Sequence, residues 1–193
     1  RGHDRWLAKK YGSDYMEAKH WATAHEGASF AVDVARLSDV VTSEIKRKGS
    51  VLCHLPIRRD DYDLPNFEYA MALYDQIHQW MQEDKVLSAY VAEGTGIAAA
   101  VAQMAFGNKM GVRFQDDIPM EEFFKPAYAE LILEMSPEGA AEVLGSNWDA
   151  MEIGEVTGED SFVYGDEEIS MEEAIQNWTA PLERSEERRV GKE

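Results

Sequence analysis

Between Val86 and Asn108 the chain changes its period within one turn. Val86-Leu-Ser-Ala-Tyr-Val91 reads as a short apolar strand buried in the sheet, and Ile97–Phe106 as a mostly apolar, alanine-rich helix. Gly94-Thr95-Gly96 stands between them. A helix with so little polar surface must be covered on several sides, so the strand and helix have to pack in layers. The start of such a helix carries free backbone N–H groups and suits an anion such as phosphate. A tight strand-to-helix turn with close packing accounts for the same glycines, because a GxG without the rest of a dinucleotide fingerprint is an unspecific signal.

The flanking sequence supplies the other layers. Phe30, Val32 and Val34 alternate as in a half-buried strand, and Ser38 is placed to cap a turn running to Val41. Val51–Leu55 reads as a strand after the solvated turn Lys46–Gly49. Pro65 opens a helix whose Phe67, Ala70, Tyr74, Ile77 and Met81 share one face. Gly111–Phe114 and Tyr128–Met135 read as strands, and Met120–Phe124 as a short helix. Ser136-Pro137 caps and starts a helix over Glu138–Leu144. Ala150–Val156 and Ser161–Tyr164 flank the turn Thr157–Asp160 and form a hairpin candidate. Ser170-Met-Glu-Glu173 is a capping box for a helix over Ala174–Trp178. The expected fold class is α/β (α+β), a layered sandwich with a mixed β-sheet covered by helices.

A formal net charge of −18 on 193 residues argues against binding nucleic acid phosphates. The acid lies in residues 28–183, since residues 1–27 and 184–193 are each slightly basic. No apolar run reaches the ~20 residues of a membrane span, so no membrane partner is expected. The single cysteine, Cys53, cannot form an internal disulfide, which fits a cytoplasmic location, and its apolar setting suits a buried thiol rather than a nucleophile. His3, His20, His25, His54 and His78 lack zinc-ligand spacing. His54 and His78 read as structural. No metal ligands and no catalytic residue are assigned.

Six segments in order carry a resemblance to a known family: Ser29–Val34, Val41–Ser50, Val86–Asn108, Gly111–Phe114, Ile153–Gly158 and Trp178–Glu183. Together they resemble the C-terminal half of an aminoimidazole-ribonucleotide-synthetase-related domain, and more narrowly the second such domain of the phosphoribosylformylglycinamidine synthases. The resemblance implies a fragment of an ATP- and glutamine-dependent ligase of purine biosynthesis. Such an enzyme converts formylglycinamide ribonucleotide to the amidine, with ATP and magnesium as cofactors of the full enzyme. Its implied partners are the remaining synthetase and glutaminase domains and a small ribonucleotide substrate, and the fragment alone is expected to be inactive. A selenophosphate synthetase or hydrogenase-maturation relative of the same fold, or a non-catalytic acidic interaction module, are the alternatives.

Related domains carry His-Asp-x-Ser-Asp-Gly-Gly before the helix. Here Thr95 and Gly96 fall on the two glycines, Gly94 on the second aspartate, Glu93 on the serine and Val91 on the first aspartate. The metal carboxylate is missing, so Glu93, Gly94, Thr95 and Gly96 are expected to line a substrate or nucleotide cleft without completing it. Residues 1–27 lack the family's lysine-containing phosphate loop and read as an atypical segment, either diverged from the family or non-native, ahead of a domain over 28–183. Arg184–Glu193 matches the translation of a sequencing-library adapter and reads as a disordered read-through tail.

Overall fold

The structure, a computed structural model, describes residues 40–190, with side chains to residue 181. The strand expected at Ser29–Val34, the Ser38 cap and the atypical segment 1–27 lie outside the described residues.

Seven strands form one sheet: β1 (Val51–Leu55), β2 (Val86–Val91), β3 (Val112–Phe114), β4 (Leu131–Met135), β5 (Met151–Val156), β6 (Ser161–Tyr164) and β7 (Glu167–Ser170). Among the described residues four helices accompany them: α1 (Phe67–Gln82), α2 (Gly96–Phe106), α3 (Pro137–Leu144) and α4 (Met171–Val190), with a 3-10 turn over Met120–Phe124. The strand order is β2-β4-β1-β5-β3-β6-β7. All neighbouring strands are antiparallel except β3 and β6. The mixed α+β class expected from sequence is therefore the observed one.

Side-chain alternation along the strands divides the interior in two. Leu52, Ile132 and Ile153 point to the side covered by α2, the 3-10 turn and the start of α4. Cys53, Leu55, Leu133 and Met135 point to the side covered by α1 and α3. Both α1 and α3 open on side-chain caps: Asn66 accepts from Tyr69 N–H, and Ser136 accepts from Gly139 N–H with Pro137 at the first helical position.

Four expectations are corrected. Helix α1 starts after Asn66 rather than at Pro65, and its buried face is Ala70, Leu73, Ile77 and Trp80, with Phe67 and Tyr74 exposed. Apolar residues nearly encircle this helix, so spacing alone fits more than one face. Strands β5 and β6 do not form a hairpin, because β3 lies between them; β6 instead turns through Gly165-Asp166 into β7. Strand β2 lies at the edge of the sheet rather than in its interior, and Val91 is 52% exposed. Helix α4 begins at Met171 and continues to Val190, longer at both ends than the expected Ala174–Trp178. The Glu and Arg residues there are strong helix formers.

The edge position of β2 explains the segment before β1. Thr42 C=O accepts from Ala89 N–H, and Lys46 Nζ donates 2.6 Å to Leu87 C=O, so residues 42–46 cover the exposed edge. Ile45, fully buried, anchors this cover, and its N–H donates to Met104 C=O on α2.

Candidate functional site

The β2–α2 turn is held from three directions. Ala92 N–H donates to Glu130 C=O, and Glu93 C=O accepts from both Gly96 N–H and Ala127 N–H. Gly96 has φ +82°, and a Cβ there would lie 2.7 Å from Phe123 C=O and 2.8 Å from Lys125 C=O. Only glycine fits so close a backbone crossing in that conformation. At Gly94 a Cβ would overlap the Tyr128 hydroxyl. Glu93 and Thr95 are exposed, and Thr95 makes no side-chain cap bond.

The geometry limits what the turn can hold. Gly96 N–H is already used, and two carbonyl oxygens stand against its Cα, presenting the negative ends of their dipoles. An anion seated on Gly96 itself would meet these oxygens. Among the described residues no group of three His, Cys, Asp or Glu side chains is arranged to hold a metal ion. The residues at 93–96 therefore do not fit a magnesium–phosphate group.

Beside the turn, a recess of about 260 Å³ opens between the ends of β1 and β5 and the loop 118–130. Ile97, Phe123, Lys125, His54, Glu130 and Met151 are among its walls. His54 is 4% exposed, and its Nε2 lies 2.7 Å from Glu130 Oε2. Its Nδ1 is buried with no hydrogen-bond partner. Lys125 Nζ pairs with Glu122. The recess is slightly smaller than the ~300–1,000 Å³ of complete small-molecule sites. A second recess of about 220 Å³, between the 3-10 turn and β6–β7, is mainly apolar, with Phe114, Phe123, Phe162 and Ile169 in its lining.

Behind this region lies a polar centre that sequence reasoning missed. Glu134 is fully buried in β4, where its carboxylate accepts from Arg47 N–H (2.9 Å), Lys46 N–H (3.0 and 3.1 Å) and Ser88 Oγ (2.8 Å). Ser50 Oγ lies 2.7 Å from Glu134 Oε1 and 2.6 Å from Arg47 C=O, and its single proton can serve one of them. The only sequence signal was a charge inside the apolar run Leu131–Met135. Cys53 is a fully buried strand thiol, as expected, and burial with the nearby Glu152 charge pushes its pKa up to about 12. His78 is exposed and hydrogen-bonded to Gln82.

No protein-family model and no curated protein sequence matches the chain. Solved structures do. Phosphoribosylformylglycinamidine synthase II from Thermotoga maritima aligns at 16% identity and TM-score 0.61, covering 72% of this chain and 28% of that one. T. maritima PurL complexed with AMPPCP aligns at 18% identity with the same score and coverage. The E. coli hydrogenase maturation protein HypE aligns at 13% identity and TM-score 0.50, over 68% of this chain and 52% of that one. The chain spans less than a third of the length of the synthase chains it matches. No helix among the described residues is long and apolar enough to cross a membrane. The mixed seven-stranded sheet with its four helices is the fold that this chain shares with phosphoribosylformylglycinamidine synthase II.

Proposed function

We propose that this chain is a segment of a phosphoribosylformylglycinamidine synthase, a cytoplasmic ATP- and glutamine-dependent ligase, and forms one wall of its synthetase cleft. In that reaction ATP activates the amide oxygen of formylglycinamide ribonucleotide. Ammonia released from glutamine then attacks the activated carbon, and phosphate leaves to give the amidine. The observation that carries the reading is the coincidence of five of the six family-like segments, in order, with a fold shared by the synthase chains; the sixth, Ser29–Val34, lies outside the described residues. Structures of the T. maritima protein with ATP and with FGAR add support for a nucleotide and a ribonucleotide as ligands of the complete enzyme.

The chain's own residues contribute shape in this reading. Gly96 lets the α2 start cross under the loop 123–125, bringing Ile97 to the recess beside His54 and Glu130. The expected cleft residues Glu93, Gly94, Thr95 and Gly96 stand in the turn just ahead of Ile97 and are not among the residues that line this recess. In this reading the magnesium and the nucleotide phosphates are held outside residues 93–96, which do not fit them.

The test is recovery of the parent gene and assay of its full-length product. The expected result is a glutaminase reading frame after the synthetase region, with ATP-dependent amidine formation by the product. The 193-residue chain alone should show none. Turnover of ATP and formylglycinamide ribonucleotide by the isolated chain, or a parent gene without ATP-binding and glutaminase regions, would overturn the reading. The hydrogenase-maturation alternative rests on HypE and predicts a parent gene lacking the glutaminase region.

A further inference from the structure

Among the described residues, helix α1 leaves an apolar face without a partner. Phe67 is 71% exposed, Met71 68% and Tyr74 37%, and the three follow one another at helical spacing in a stripe beside the buried face of Ala70, Leu73, Ile77 and Trp80. The face continues into a groove of about 400 Å³, lined by Tyr74, Met81, Val91 and Leu131 among others. Tyr74 Oη donates 2.7 Å to Ala129 C=O and closes one wall of the groove. An exposed apolar surface of this kind marks an interaction site more often than an accident of composition.

The charge around it is one-sided. Residues 60–84 contain seven Asp and Glu and no Lys or Arg. Of the neighbouring cations, Arg58 is bonded to Asp149, Arg59 reaches Asp63 and Tyr128 C=O, and Lys85 pairs with Glu83 and Glu142. A second copy of this chain fits badly, since a symmetric contact would set this acidic segment against itself. An added strand is also excluded along β2, whose edge residues 42–46 already occupy. What fits is a helix carrying apolar residues along one side and Lys or Arg at the margins, lying along the roughly 24 Å length of α1.

We propose that the exposed face of α1 and its groove form a docking surface for a basic amphipathic helix from another polypeptide segment. The inference does not depend on the functional reading above.

The probe is a labelled 18-residue helical peptide with leucine on one face and lysine at its margins, and a second peptide with glutamate in place of lysine. Binding to the full chain is read by fluorescence anisotropy. The expected result is saturable binding of the lysine peptide that weakens with salt, and no binding of the glutamate peptide. The double variant Phe67→Ser/Met71→Ser preserves every charge and changes only exposed residues. It should keep its melting temperature and weaken binding about tenfold, the scale for losing apolar anchors. Equal binding by that variant would reduce the effect to net charge and overturn the proposal. So would equal binding of the glutamate peptide, self-association of the chain that the double variant abolishes, or partition of the chain onto zwitterionic lipid vesicles through this face.

Discussion

Glu134 Oε2 accepts a 2.8 Å hydrogen bond from Ser88 Oγ, and neither side chain reaches solvent. The carboxylate is satisfied by backbone amides and hydroxyls, with no cation among its partners. Residues 46–50 are thereby fastened to β4, the strand next to the β2 edge. Glu134→Ala leaves these donors without an acceptor and should cost about 3 kcal/mol, against about 1–2 kcal/mol for Glu134→Gln, which keeps one acceptor oxygen. Urea denaturation of the two variants checks the order.

Two glycines with similar backbone angles should respond differently to alanine. Gly96, at φ +82°, would place its Cβ under 3 Å from three backbone atoms, whereas Gly49, at φ +77°, has nothing within 4 Å. Gly49→Ala should cost about 1–2 kcal/mol from backbone strain alone. Gly96→Ala should cost about 2–4 kcal/mol, because overpacking adds to the strain. Equal melting temperatures for the two variants would contradict the crossing at residues 123–125.

Cys53 should be inert in the native protein. With its pKa raised to about 12, roughly one thiol in ten thousand is ionised at pH 8, and the sulfur is enclosed. Alkylation by iodoacetamide should be slow until the protein is unfolded by urea. The folded pKa lies above the unfolded value near 9.0, so the associated stability is full below pH 9 and is lost as pH rises toward 12. Denaturation midpoints measured across that range should fall less steeply in Cys53→Ala.

Removing residues 184–193 should change stability by less than about 0.5 kcal/mol, since Val190 is the one aliphatic side chain among them. A chain ending at Glu183 should keep its melting temperature and lose far-ultraviolet helix signal in proportion to the turns removed from α4. A large drop in melting temperature would mean that the segment packs on the domain.

Much of this was legible in local sequence. The Ser136-Pro137 cap, the change of period at Gly94–Gly96 and the buried setting of Cys53 each depend on neighbours in the chain, and each stands where local chemistry puts it. What failed depended on distant partners. The turn at Thr157–Asp160 looks like a hairpin because nothing near it reveals that Val112–Phe114 will come between its arms. Glu134 could be seen to occupy a core position, but Lys46, Arg47 and Ser88 become its partners only through the pairing of β4 with β2 and the path of residues 42–46. Helix α1 was placed by its period, but Phe67 and Tyr74 are as apolar as the residues buried in their stead.

The insertion of β3 between β5 and β6 sets an order on assembly. Val112 pairs with Val156 on one side and with Phe162 on the other, so a nascent chain cannot complete this part of the sheet until residues beyond 162 have been synthesised. Until then β3 offers an unsatisfied edge, and closing it requires contacts far apart in sequence, the kind that form slowly. Cutting the chain within residues 157–160 would therefore do more than nick a surface turn. It would divide the two strands that clasp β3 between separate molecules, and reassociation of the halves would become a bimolecular step whose rate rises with concentration.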